Sequence, residues 1–169
     1  MNADGASTLF AAEPGELEIG AEHTSRGRTI TETDLVAFAS QTGDWHPQHT
    51  DAEWAVRSRF GGRIAHGMLV LSYAAGLVPF DPERVVALRQ IDSVTFKRPV
   101  LIGDTIRVRS RVESIRPLDG GHALVLLGWR IINQRERVVV RARVEVLWRG
   151  GVEGPAAEPE DLYAGQVLL

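Results

Sequence analysis

Residues 64–78 read IAHGMLVLSYAAGLV, fifteen positions without a lysine, arginine, aspartate or glutamate. A helix this apolar all round has no solvent face, so it must be buried on most of its surface. The length favours helix over strand, because strands usually end within about 4 to 8 residues. Val70, Val78 and the two internal glycines lower the intrinsic helix propensity without reversing that choice. Pro79 and the pair Asp81-Pro82 close the segment. A buried helix needs a wide layer to cover it, and the rest of the chain must supply one.

The C-terminal half has the pattern of such a layer. In residues 106–114, IRVRSRVES, the positions Ile106, Val108, Ser110 and Val112 alternate with Arg107, Arg109, Arg111 and Glu113. That period of two belongs to a half-exposed strand. Long strands are also expected over residues 85–100, 122–133 and 137–149, with turns at GD (103–104), LDGG (118–121) and NQRE (133–136). Helices first and four long strands after predict an α+β domain with an antiparallel sheet wrapped on the apolar helix.

Upstream, residues 17–31 read as two short extended pieces around SRG. Thr31 and the acids after it can cap a helix whose inner face carries Leu35, Phe38 and Ala39, and Thr42-Gly43 stops it. The next nine residues, GDWHPQHTD at 43–51, hold two acids, two histidines and a proline with no apolar period. Pro47 lacks an amide donor and drives His46 out of the helical region, so a turn or loop is expected here. Such a loop is either a solvated bend or a site that handles protons. Asp51 can cap a following short helix over 51–60, with Trp54 and Ala55 inward.

The whole chain has 169 residues, a formal net charge of -3 and no cysteine. One domain is expected, with 1–15 as an N-terminal tail, 16–149 as the body and a Gly, Pro and acid-rich 150–169 as a C-terminal tail. The charge gives no electrostatic case for nucleic acid or an anionic membrane, and the absence of cysteine excludes disulfides, thiolate nucleophiles and the usual structural zinc sites. No stretch approaches the ~20 apolar residues of a membrane span, and the N-terminus has no signal-peptide pattern. A cytoplasmic location is the expectation.

Three blocks in order give the sequence a resemblance to the MaoC-like (R)-specific enoyl-CoA hydratases and dehydratases. The family pattern D-x-N-P-x-H-x-D is matched by DWHPQHTD at 44–51, A-H-G-M by residues 65–68, and F-x-x-P-V-x-x-G-D by FKRPVLIGD at 96–104. The resemblance spans about residues 31–148, and it implies a hotdog fold, a long antiparallel sheet curled round a central helix. It also implies a homodimer or a multiple of it, with an acyl thioester as substrate, coenzyme A or an acyl carrier as part of that substrate, and no separate cofactor.

By the same resemblance Asp44 and His49 would hold a water beside the double bond of a trans-2-enoyl thioester, and the Gly67 N–H would receive the thioester oxygen. The chemistry requires such groups: a base for the water proton, an acid for C2, and a donor for the charge growing on oxygen. His46 stands where the pattern has asparagine, a supporting position. Pro47, Asp51 and His66 would shape the pocket. Arg57, Arg59, Arg63, Lys97 and Arg98 are candidates for the phosphates of coenzyme A.

Simpler readings exist for each. Asp44 can be a turn former, His49 a hydrogen-bonded half-buried imidazole, Gly67 a close-packing glycine, and the strand arginines a solvated face. No metal is expected, since the His46 to His49 spacing contains Pro47 and is not the helical pair of zinc enzymes. The rival functions are a hotdog thioesterase and a non-catalytic acyl-thioester-binding subunit of a hetero-oligomeric dehydratase.

Overall fold

The computed structural model describes residues 9–151. Between the short and the long strands lie four α-helices: α1 (Glu32–Thr42), α2 (Pro47–Thr50), α3 (Ala52–Arg57) and α4 (Gly67–Leu77). Two short strands, β1 (Glu22–Thr24) and β2 (Arg28–Thr29), precede them, and four long ones follow: β3 (Val85–Phe96), β4 (Thr105–Pro117), β5 (Ala123–Ile132) and β6 (Val138–Trp148). The sheet has the order β1-β4-β5-β6-β3, with β2 also pairing β4, and every pairing is antiparallel. This is the hotdog arrangement, an α+β sheet wrapped on α4.

The alternation in β4 sorts as the sequence requires. Ile106, Val108, Ser110 and Val112 are buried, whereas Arg107, Arg109, Arg111 and Glu113 face solvent. On that outer face Arg143 of β6 meets Glu113 of β4 at 3.0 Å across the intervening β5, and Arg109 meets Glu136 of the turn between β5 and β6. The inner face packs on Leu69, Val70, Leu71, Ala74 and Leu77 of α4. Met68, Ser72 and Gly76 form the one open stripe of that helix.

Several boundaries differ from expectation for local reasons. Helix α4 begins at Gly67, not Ile64, because Ile64 and Ala65 are extended and bond outward: Ile64 bridges Leu101, and the Ala65 N–H donates to the Val100 carbonyl at 2.8 Å. Strand β3 stops at Phe96, where the amides of Lys97 and Arg98 both turn onto the Val139 carbonyl. Helix α3 ends at Arg57, and Trp54 faces outward at 40% exposure while Ala55 alone is inside.

The packed body also starts before residue 16. Phe10 is 1% exposed, stacked on Trp148 with ring centroids 6.2 Å apart and edge-on to Phe80, and the Trp148 indole donates to the Ala12 carbonyl at 3.0 Å. An aromatic side chain buries more apolar area than a polar flank can offset, so this part of the expected tail is core. Of the expected C-terminal tail, residues 152–169 lie outside the described residues. No helix among the described residues is long and apolar enough to cross a membrane. Phe10→Ala should lower unfolding stability by about 3 kcal/mol or more in denaturant titration, and a loss below about 1 kcal/mol would show that the segment is not part of the core.

Candidate active site

Helix α1 delivers the chain to the site. Thr31 caps it in a reciprocal box with Asp34, and it ends at Gly43, whose φ of 77° is the left-handed conformation that glycine adopts without a Cβ penalty. Asp34 also accepts from Tyr73 of α4 at 2.5 Å and from Arg28 at 3.0 Å, tying α1 to the central helix. Burial opposes the ionised form of Asp34, but hydrogen bonds from Tyr73, the Thr31 amide and hydroxyl, and Arg28 hold its pKa at about 2.

The segment expected to be a turn or loop contains a single helical turn. Proline at the first helical position gives up no hydrogen bond, because that N–H has no partner within a helix anyway. Pro47 therefore opens α2, and His46, extended at φ -55° and ψ 136°, is its N-cap. The His46 Nδ1 accepts the Gln48 N–H at 3.2 Å. Asparagine caps helices through Oδ1, an atom the same number of bonds from Cβ. The imidazole thus performs the capping bond that an asparagine makes. Asp51 then caps α3, accepting from the Trp54 N–H at 2.9 Å, and this engages it away from the cleft lining.

One turn of helix carries His49 inward, where it is 4% exposed. Its Nδ1 lies 2.7 Å from the Ile64 carbonyl, which can only accept, so Nδ1 carries the hydrogen. In the neutral ring the lone pair is then on Nε2, where the Gln48 side-chain amide donates at 3.0 Å. Burial, above all, holds the His49 pKa below the ordinary 6.5; the His66 and His46 rings push the same way, against the Ile64 carbonyl and Asp44.

Asp44 Oδ2 lies 4.0 Å from His49 Nε2. That is too long for a hydrogen bond, and it is the separation at which a single oxygen about 2.8 Å from each atom can bridge them. The Asp44 carboxylate is half exposed, whereas its backbone is pinned by His66, whose Nε2–H donates to the Asp44 carbonyl at 3.0 Å. His66 is buried, stacked on His49 at 3.8 Å, and its Nδ1 has no partner among the described residues. Ligand atoms of Asp44, His49 and His66 fall within 4.8 Å of one another. The two rings are tilted by only 25°, however, so their in-plane lone pairs run side by side instead of converging as metal coordination requires.

A cleft of about 520 Å³ opens onto this pair. Its lining includes Asp44, Gln48, His49, Gly67, Phe96 and Val140. Gly67 is the first residue of α4, and its N–H has no backbone acceptor among the described residues. A Cβ there would lie 2.7 Å from the Phe96 ring, so glycine is what lets the aromatic wall close on the helix start. Of the five basic candidates, Arg59, Lys97 and Arg98 line the cleft; Arg57 does not, and Arg63 pairs with Glu32 at 2.8 Å. Pro47 shapes the turn from outside the cleft lining. Sequence reasoning assigned no role to Gln48, Phe60, Met68 or Phe96, all of which line the cleft. Gln48, Met68 and Phe96 fall within the blocks at 44–51, 65–68 and 96–104, which marked their segments but not their roles, and nothing local marked Phe60.

The profile of the family described as MaoC like domain matches residues 16–126. The chain belongs to that family. Among curated relatives of this MaoC-like chain, Protein MaoC of Klebsiella aerogenes is 40% identical over 95 residues, 56% of this chain and 28% of that protein. The 3-hydroxybutyryl-CoA dehydratase of Methylorubrum extorquens is 34% identical over 108 residues, 60% of this chain and 64% of that protein. The chain therefore matches between a quarter and two thirds of the length of these relatives. The structure of R-hydratase PhaJ1 from Pseudomonas aeruginosa superposes with a TM-score of 0.66 at 30% identity, covering 87% of this chain and 94% of that one.

The depressed His49 makes a prediction that needs no substrate. Its imidazole should titrate in a ¹⁵N NMR experiment with a midpoint below 6.5. Since the unfolded chain then binds the proton more readily, this site's stabilising contribution is complete above the unfolded value and is lost as pH falls from there through the lower folded value. A midpoint above the ordinary imidazole range would contradict the buried, neutral assignment.

Proposed function

We propose that this MaoC-like protein adds water reversibly to a trans-2-enoyl thioester, giving an (R)-3-hydroxyacyl thioester, with Asp44 and His49 as the proton-handling pair. The observation that carries the reading is the 4.0 Å gap between Asp44 Oδ2 and His49 Nε2, open to a cleft that Gly67 also lines. The names of the Methylorubrum dehydratase and the Pseudomonas hydratase support the reaction class.

In this reading a water entering the gap displaces the Gln48 side-chain amide from His49 Nε2, gives one hydrogen bond to the Asp44 carboxylate and presents its other proton to the freed lone pair. The oxygen attacks C3 as that proton leaves for Nε2. Electron density moves to the thioester oxygen, where the Gly67 N–H and the start of α4 stabilise it. The pair then returns a proton to C2, so one water is consumed and both side chains end as they began. Dehydration runs the same steps backwards. The stacked His49 and His66 rings suit this proton traffic better than metal binding, and no redox cofactor enters the scheme.

Arg59, Lys97 and Arg98 would meet the phosphates of a coenzyme A or carrier-linked substrate at the cleft mouth. The assembly would be a homodimer. Among the described residues β3 pairs only with β6, which leaves its other edge open, and Val86, Leu88, Ile91 and Phe96 on it are more than a third exposed. Edges of that length are normally paired or protected. Light scattering should therefore find a dimer or a multiple of it, and a fully active monomer at micromolar concentration would refute this part.

The decisive assay uses crotonyl and longer enoyl thioesters. Asp44→Asn and His49→Ala should each lower kcat by about 10²- to 10⁴-fold while a saturated acyl thioester still binds. The double variant should lose far less than the product of the two, because both groups act on one water. Folded single variants with near wild-type hydration would overturn the assignment.

A further inference from the structure

The histidine that replaces asparagine in the 44–51 segment does more than fill its place. We propose that His46 is a positioning residue: its neutral imidazole holds the turn bearing His49 in working order, so acid slows the reaction through His46 as well as through the catalytic pair. The kinetic half of this inference rests on the hydratase reading, whereas the structural half does not.

The Gln48 N–H donates to His46 Nδ1 at 3.2 Å, so that nitrogen must keep its lone pair and the ring hydrogen must be on Nε2. An imidazolium has hydrogens on both nitrogens and accepts nothing. Asparagine, by contrast, keeps its acceptor at every pH. The exchange therefore leaves the cap intact in neutral solution and makes it removable by a proton.

The cap reaches the chemistry through Gln48. Pro47 has no amide hydrogen, so the Gln48 N–H is the first that α2 offers. Gln48 is then fixed at two further points: its carbonyl accepts the Ile64 N–H at 3.0 Å, and its side-chain amide donates to His49 Nε2 at 3.0 Å. The residue fixed by His46 thus touches the nitrogen that would take the water proton.

The surroundings add a second effect. His46 is exposed, so a proton reaches it without unfolding. The groups facing it are the Asp44 carboxylate, whose Oδ1 accepts the His46 N–H at 3.3 Å, the His49 ring at 6.3 Å, and from α3 the uncharged Trp54 indole edge-on at 5.6 Å. The α3 cap Asp51 is engaged with the Trp54 amide. A charged His46 would therefore repel a proton on His49 and attract the Asp44 carboxylate away from its water.

The test compares wild type, His46→Asn and His46→Ala in kcat/KM from about pH 8.5 down to about pH 5.5. At the alkaline end His46→Asn should work close to wild type, since it restores a non-titrating cap, and His46→Ala should be lower by about 2- to 30-fold, the range that cap removal spans. On acidification wild type should lose more activity than His46→Asn, so their ratio changes with pH. A constant ratio, or His46→Ala equal to His46→Asn throughout, would overturn the proposal.

Nitrogen NMR on the substrate-free protein supplies an independent readout. Neutral His46 should be the Nε2–H tautomer, and the Gln48 amide signal should move with its titration; a predominant Nδ1–H tautomer would refute the cap whatever the activity. Wild type inactive on every enoyl thioester would count against the hydratase reading, and the tautomer would still decide the cap.

Discussion

The Ile64 N–H donates to the Gln48 carbonyl at 3.0 Å, the Ile64 carbonyl receives the His49 Nδ1–H at 2.7 Å, and the next amide, Ala65, donates to Val100 at 2.8 Å. Two extended residues before the central helix thereby join the histidine-bearing turn to the connection between β3 and β4. A buried imidazole without these partners would have no fixed orientation, and an unpaired buried carbonyl would cost about 1 to 3 kcal/mol. The same seam sets where α4 begins and so where the free Gly67 amide lies. Fold and site consequently share one set of hydrogen bonds.

The sheet and its helix were legible because their patterns are simple. Alternation in β4 and the uncharged run at 64–78 each reflect a single requirement, burial of one face or of nearly all faces. The Asp51 cap and the Gly43 stop were legible too, since short side-chain bonds and a left-handed residue leave a local signature. What could not be read depended on distant partners. Phe10 is core only because Trp148, 138 residues away, stacks on it. Trp54 turned outward because the small Ala55 was enough to seat a helix of six residues.

The candidate site was legible as a segment rather than as a geometry. Asp44, His49 and Gly67 do converge on one cleft, whereas the five basic residues divide, with Arg63 drawn away by Glu32. The tautomer of His49, the pinning of Asp44 by His66 and the contact from Gln48 depend on side-chain orientation, which one sequence does not encode locally. The proline was legible as a bar to a core helix, which left a turn or a loop. At the first position of a helix its missing donor is not needed, and a single helical turn points His49 inward.

The central claim is that this segment directs water to C3 of an enoyl thioester and not to its carbonyl carbon. Isotope labelling tests it most directly. The protein should be incubated with an enoyl thioester in ¹⁸O-labelled D₂O and the product examined by mass spectrometry and NMR. The account predicts one ¹⁸O at C3, one deuterium at C2, a thioester still intact and far less of this doubly labelled product from Asp44→Asn under the same exposure. Release of free thiol with ¹⁸O in the carboxylate would contradict it and would identify the cleft as a hydrolytic one.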